Sequence, residues 1–239
     1  MTNETEQNTI KEFYEEIYYK DAKPPTTTTD HLRKLAIKMG LKQGDQVLDI
    51  ACGTGNWLLA CREKGATVAG VDLSERAIEA CKQAMPEGHF YSANAEMLNF
   101  KDNSFDLVTC LGSLEHFIDP GQALDEMVRV LKDNGELLLL VPNKDFLTRK
   151  LLGFKGTYQK DVREVARTIE QWQSLFFKSD ITVISKWKDL HVLSRQWITI
   201  GSAITWPARL LQALLLAVWP LRWQYQIYFR CKKADYKTH

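Results

Sequence analysis

The sequence predicts an α/β fold in which a doubly wound, mostly parallel sheet is covered by helices on both faces. From Gln46 onward, short apolar runs alternate with segments of helical periodicity, which is the rhythm of repeated β-α-β units. The first of these runs ends in a carboxylate and a glycine-rich turn that opens a helix, the place where such sheets receive ligands. Composition agrees. A chain of 239 residues, 45% hydrophobic and 26% charged, can build a globular core and is not a disordered, collagen-like or disulfide-stapled chain.

Residues 1–45 are expected to form N-terminal cap helices around the polar loop Thr26–Thr29. Their first ten residues, MTNETEQNTI, are acidic and lack the basic and apolar regions of a secretory leader. VLDIA is the first strand, followed by a helix from about Thr54 to Lys64. TVAGVDL is the second strand, and Ser74 caps a helix running to Ala84 by accepting from an orphan amide of its first turn. HFYSA, FDLVTCL and ELLLLV continue the strands. Between the last two, Gly121–Leu131 places Ala123, Leu124, Met127, Val128 and Leu131 on one helical face, with Asp133, Asn134 and Gly135 expected to end that helix. After Pro142 a basic, partly helical stretch (Asp145–Ser179) precedes two further strands, ITVISKW and QYQIYFRCKK. The expectation is one domain over 1–239, with a ligand-binding core at 46–143 and a basic, acceptor-side part at 144–239.

Charge divides in the same place. Met1–Asn143 carries 14 basic and 23 acidic residues, a net −9; Lys144–His239 carries 17 and 7, a net +10, which together give the overall +1. Near-neutrality argues against a nucleic-acid binder held by bulk charge, and no recognition module is evident in the basic part. The five cysteines (Cys52, Cys61, Cys81, Cys110, Cys231) form no CxxC pair, so they are expected as reduced packing residues in a cytoplasmic setting, and no metal site is expected.

VLDIACGTGNW (Val47–Trp57) is the most informative stretch. Gly53 and Gly55 supply backbone freedom, and Asp72, about 20 residues after the turn, is placed to take the hydroxyls of a ribose. A dinucleotide fingerprint would need a third glycine where the chain has Leu58. Asp49 would also repel a diphosphate but attract an ammonium or sulfonium group. These residues point to a cationic, amino-acid-bearing nucleoside.

On these residues, over about Tyr14–Asn143, the sequence resembles the class I S-adenosylmethionine-dependent methyltransferases, close to the branch that methylates small molecules and quinones. The resemblance implies a Rossmann-like, seven-stranded sheet with a C-terminal antiparallel strand and a helical insertion before it. It implies that S-adenosylmethionine is the cofactor, with Asp49, Ala51, Cys52, Gly53 and Gly55 around its methionine part, Asp72 on the ribose and Leu73 against the adenine. Ala51 departs from the glycine usual there. Ser92–Phe100 resembles the adenine segment, with Asn94, Ala95 and Glu96 where the family has Asp-Ala-Glu; Phe105–Phe117 resembles the fourth-strand motif, with the backbone near Leu111 at the methionine end. Tyr14 or Tyr19 would close over the cofactor. His116 is the candidate general base, since a near-neutral imidazole suits proton removal from a hydroxyl, the alternative being a structural hydrogen bond to backbone. Glu115 would orient the cofactor's amino end or be solvated, and His191 would face the acceptor or be structural.

Trp197–Trp223 is apolar, with an expected helix at about 198–222, but its uninterrupted run Ala213–Trp219 is far shorter than the ~20 residues of a bilayer span. Arg209 and Gln212 share a helical face. Trp206, Trp219 and Trp223 near its ends, and flanking Arg149, Lys150, Lys155, Lys160, Arg163, Arg167, Arg222, Arg230, Lys232 and Lys233, suit peripheral contact with the inner face of a membrane. A lid over the site or a dimer contact is the other expectation. The resemblance thus implies SN2 methyl transfer, and the apolar stretch points to a small or lipid-like, lipid-linked acceptor; rival readings are a soluble metabolite or sugar as acceptor, a non-catalytic cofactor-binding protein, and a nucleotide-dependent oxidoreductase.

Overall fold

The computed structural model describes residues 3–147, 164–191, 198–199 and 202–234. Its centre is a seven-stranded sheet of order β3-β2-β1-β4-β5-β7-β6. The strands are β1 (Gln46–Ile50), β2 (Thr67–Asp72), β3 (His89–Ser92), β4 (Phe105–Leu111), β5 (Leu131–Pro142), β6 (Ile181–Lys188) and β7 (Gln226–Lys233). β1 to β5 pair in parallel, and β7 runs antiparallel to both β5 and β6. The expected α/β architecture, including the antiparallel C-terminal strand, is present.

The central strands are apolar over nearly their whole length because helices cover both faces. On one face pack α2 (Asp30–Met39), α3 (Asn56–Arg62) and α4 (Glu75–Ala84), through residues such as Leu35, Leu58 and Ile78. On the other lie α5 (Pro120–Val130) and α6 (Ile169–Lys178), whose Leu124, Met127, Trp172 and Phe176 are fully or almost fully buried. An amphipathic N-terminal helix, α1 (Asn3–Phe13), continues through a π-helical turn (Tyr14–Tyr18) across the C-terminal edge of the sheet. Strand order reverses between β1 and β4, and that edge is where a doubly wound sheet binds its ligand.

Three expectations need correction. The helix of Gly121–Leu131 ends one residue early, and Lys132–Gly135 bulge out of β5 opposite Asp106, where Lys132 pairs with the Asp106 carboxylate at 2.8 Å. Turn-forming residues here make a β-bulge rather than a loop. The apolar helix is shorter than 198–222: α7 spans Trp206–Val218, carries Pro207 in its first turn and is flanked by 3-10 turns at Ala203–Thr205 and Leu221–Trp223. Finally, Arg230, Lys232 and Lys233 do not accompany that helix. β7 carries them to the opposite edge, where Arg230 pairs with Glu136 and Lys233 with Asp133. Arg149, Lys150, Lys155, Lys160 and Arg163 lie outside the described residues. No described helix is long and apolar enough to cross a membrane. All five cysteines are buried, as packing residues should be.

Candidate active site

The turn after β1 is built on left-handed backbone: φ is 56° at Ala51, 53° at Gly53 and 84° at Gly55. At Gly53 a Cβ would lie 2.7 Å from the Tyr19 hydroxyl, so only glycine lets that ring close over the loop. Asp72, at the end of β2, holds the turn from below: its carboxylate accepts from Gly53 N at 2.8 Å and Ser74 N at 2.9 Å. Burial raises its pKa, and those backbone bonds oppose the rise. Ser74 then caps α4 through the amide of Ala77, as expected, and donates to Glu15 of the N-terminal π turn.

Asp49 is buried one layer beneath. Its carboxylate accepts from Thr109 Oγ1, which in turn accepts from Trp57 Nε1 at 3.1 Å. Burial pushes Asp49 up to about 7; the Thr109 hydrogen bond opposes this and the nearby Asp72 charge adds to it. A cation brought near would recover the charged form.

Above these carboxylates lies a cleft of about 640 Å³, counted with its open mouth. Tyr19, Ala51, Asp72, Leu73, Asn94, Ala95, Glu96 and His116 all line it. Asp49, Gly53 and Gly55 are not among its lining residues: Gly53 lies beneath the Tyr19 hydroxyl, and Gly55 is seated against Cys81 of α4 and Met85 just after it. Leu111 does not line it either: its side chain packs with the cluster of Leu140, Tyr228 and Trp187 on the α2 face of the sheet, because alternate residues of β4 face opposite ways. Asn94 also differs from expectation in detail, since its Oδ1 already accepts from Glu96 N at 3.0 Å, leaving one lone pair for a ligand. Glu96 accepts from Asp119 N at 2.8 Å and so ties this segment to the start of α5.

The lining holds residues that the sequence did not single out: Gln7 and Ile10 of α1, and Ser113, Phe117 and Ile118 after β4. Phe117-Ile118 is an apolar pair directly after the Glu-His motif and could have been taken as a wall. Gln7 and Ile10 gave no signal, being a polar and an apolar residue of an otherwise acidic helix. Tyr14, one of the two tyrosines considered, also lines the cleft and stacks near Tyr19 at 6.1 Å between centroids; burial, with the Asp72 charge next, raises the pKa of both rings. Glu115 is not solvated. It is buried, its Oε2 has no hydrogen-bond partner among the described residues, and burial pushes it up to about 8. His116 Nε2 lies 4.0 Å from Glu115 Oε1.

Among the described residues no lysine or arginine lines the cleft. Among the described residues no group of His, Cys, Asp and Glu is arranged to hold a metal ion. A buried acidic floor beneath an apolar and aromatic wall suits a cationic nucleoside far better than a pyrophosphate.

Comparison with known proteins agrees with this geometry. Residues 48–139 match the methyltransferase domain family. A demethylmenaquinone methyltransferase of Staphylococcus aureus is 40% identical over 115 residues, which cover 45% of this chain and 48% of that protein. The chain thus spans about half the length of the curated relatives it matches. Among solved structures, an S-adenosylmethionine-dependent methyltransferase from Aquifex aeolicus shares the fold with a TM-score of 0.59 at 15% identity, covering 85% of this chain and 89% of that one. The [4+2]-cyclase SpnF shares it with a TM-score of 0.61 at 19% identity, covering 86% and 80%. One architecture therefore carries more than one chemistry, and function must be argued from the site.

Proposed function

We propose that this chain, whose residues 48–139 belong to the methyltransferase domain family, transfers the methyl group of S-adenosylmethionine to a small, lipid-like acceptor, and that 1–239 works as one domain. The observation that carries this is the single cleft at the switch point, where Ala51, Asp72, Leu73, Asn94, Ala95 and Glu96 share one wall system with His116. A quinone-like acceptor is supported by the partial similarity to demethylmenaquinone methyltransferase.

Bound there, the cofactor supplies a sulfonium methyl that is already activated for displacement. The chain's contribution is alignment and exclusion of water, worth roughly 7–11 kcal/mol in favourable cases. Asp72 still has lone pairs free for ribose hydroxyls after accepting from Gly53 and Ser74. Asp49 and the unpartnered Glu115 Oε2 supply negative charge or acceptors near the amino-acid end. Tyr19 closes over Gly53, and His116 borders the transferred group as a proton acceptor.

The lipid-like character rests on α7. Its C-terminal end is pinned to the same sheet edge by Lys188 Nζ donating to Ala217 O at 2.7 Å and Gln224 Nε2 donating to Leu216 O at 2.6 Å. From there it projects with Leu210, Leu211, Leu214, Leu215 and Val218 exposed, an arrangement suited to resting on a bilayer from which an acceptor is drawn.

The test is incubation with methyl-labelled S-adenosylmethionine and a cell extract, followed by phase separation. Label in the organic phase is expected. Label in the aqueous phase would favour a soluble acceptor, and stabilisation by S-adenosylhomocysteine without any transfer would favour a non-catalytic binder.

A further inference from the structure

On the α2 face of the sheet the fold assembles a second group of titratable side chains. His31 from the first turn of α2, Tyr228 from β7, and Asp189 and His191 just beyond β6 are far apart in sequence and meet because β7 and β6 close the sheet beneath α2. His191 Nδ1 lies 2.5 Å from Asp189 Oδ2, and the His191 backbone N–H donates to Asp189 Oδ1 at 3.0 Å. His31 Nε2 lies 3.1 Å from the Tyr228 hydroxyl and 3.4 Å from Asp189 Oδ1.

Three features set this group apart from an ordinary surface ion pair. The Asp189 side chain is only 5% exposed, and among the described residues its side-chain partners are imidazoles rather than lysine or arginine. An ionised Asp189 only accepts, so it fixes the proton of His191 on Nδ1 and leaves Nε2 as a free base. The His191 side chain is 48% exposed, so that base can be reached.

The four residues do not line the cleft, but they lie at the same C-terminal edge of the sheet. Leu111 pairs with Leu140 and Leu140 with Tyr228, which puts Tyr228 two strands, about 10 Å, from the end of β4. Gln226 bridges the gap: Asp189 N donates to its carbonyl at 3.1 Å, and its Nε2 lies 3.7 Å from where a Cβ of Gly112 would be, next to the cleft-lining Ser113. The separation is on the order of a two-ring aromatic acceptor lying along the sheet edge.

We propose that His191, held by Asp189 with His31 and Tyr228 behind it, accepts the proton of an acceptor hydroxyl while His116 borders the methyl donor at the other end. This rests on the methyl-transfer reading above. The acceptor's O–H bond breaks and its proton goes to His191 Nε2. The electron pair left on the acceptor forms, through the conjugated ring, the new bond from a ring carbon to the methyl carbon, whose former bonding pair leaves with sulfur as a neutral thioether; that ring carbon then loses its hydrogen as a proton to His116, the ring regains aromaticity, and the oxygen takes its proton back from His191. Hydrogen bonding to Asp189 raises the His191 pKa, whereas burial lowers that of His31, so the incoming proton belongs on His191. Among the described residues, the charged and titratable groups facing the cluster are Asp189, Tyr228, Lys34 on α2, and Lys38, which lies over Trp187, the ring stacked on Tyr228.

The experiment uses the full chain, methyl-labelled S-adenosylmethionine and, as probe, a reduced short-chain prenylated naphthoquinone with a free ring position. Rates are measured from acid to alkaline pH for wild type, His191→Gln, His191→Ala, Asp189→Asn and His116→Ala. His191→Gln should lower kcat by about 10²–10⁴-fold while stabilisation by S-adenosylhomocysteine is unchanged. Added imidazole should restore part of the rate of His191→Ala. Activity should fall at low pH as His191 is protonated, and Asp189→Asn, which removes the carboxylate charge and weakens the bond that raise that pKa, should move this limb to lower pH. An active wild type with His191→Gln within twofold of it, and the same acid limb, overturns the proposal and leaves the methyl-transfer reading intact. A wild type that transfers no methyl to the probe overturns the proposal; if it also fails to bind S-adenosylhomocysteine, the reading falls with it.

Discussion

Ala51 occupies a left-handed backbone position, φ 56°, in the turn that the cofactor would approach most closely. A Cβ there costs on the order of 1 kcal/mol, and glycine would remove that cost while losing a smaller amount through a more flexible unfolded chain. Ala51→Gly should therefore raise stability by about 0.5–1 kcal/mol, a rise of roughly 2–3 °C in Tm for a domain of this size, readable by calorimetry; an unchanged or lower Tm would show that the alanine is not strained. The carboxylates below the turn make a second prediction. Asp49 at about 7, Glu115 at about 8 and the raised Asp72 all hold protons in the folded state that they lose more readily when unfolded. Their contribution to stability is fully present below the ordinary carboxylate range, near pH 4, and is lost as pH rises through about 8. A cationic ligand favours the charged forms, so the Tm increment given by S-adenosylmethionine should grow between pH 5.5 and 8.5. An increment that is flat or shrinks with pH would disconnect these carboxylates from the ligand.

Elements were legible where one physical signal dominated. The strands showed themselves as apolar runs because both faces of the sheet are covered, and Ser74 as a cap because its hydroxyl has an orphan amide to accept from. The site was legible where the chain is local, from Asp49 to Asp72 and from Asn94 to Glu96. It was not legible where tertiary structure assembles it: Gln7 and Ile10 reach the cleft only because the N-terminal segment folds back over the sheet edge, and His31, Asp189 and Tyr228 meet only through the order β5-β7-β6. Lys132–Gly135 misled because a bulge and a turn use the same residue types. The return of the N-terminal segment hangs on Ser74, which both caps α4 and donates to Glu15 at 2.5 Å, while Arg76 also reaches Glu15 and Glu16. Ser74→Ala should cost about 1–2 kcal/mol, within the usual range for a lost cap, and should weaken cofactor binding by loosening the segment that carries Tyr14 and Tyr19. Glu15→Gln leaves the cap intact. It should weaken binding with little change in Tm, and equal binding by both variants and wild type would sever the segment from the site.

At the scale of the whole molecule, the charge asymmetry and the apolar helix turn out to be separate features. The net +10 after Asn143 suggested one basic, membrane-facing part, yet Arg230 and Lys233 are paired with Glu136 and Asp133 at the sheet edge away from α7. Near the helix the described cations are Arg209 within it, Lys188, which donates to Ala217 O, and Arg222, which stacks over Trp223 at 5.1 Å. Area, rather than charge, is what α7 offers. Ile204 is 90% exposed, Leu211 60% and Val218 81%, whereas Ala213 alone in the helix is buried. Each such side chain transferred from water contributes roughly 1.5–3 kcal/mol if fully buried, so a few of them suffice for reversible docking at a bilayer surface. Binding to phosphatidylglycerol–phosphatidylcholine vesicles in a co-sedimentation assay should therefore survive salt of about 1 M, where the Debye length falls to about 3 Å, better than it survives a change of the apolar face. Leu211→Glu combined with Val218→Glu should release most of the protein from the vesicles. Both side chains are exposed, so the substitutions should leave Tm nearly unchanged and transfer to a water-soluble acceptor intact. Loss of binding in salt alone would return the weight to charge, and failure of the wild type to sediment with vesicles at low salt would remove the bilayer as the partner of α7.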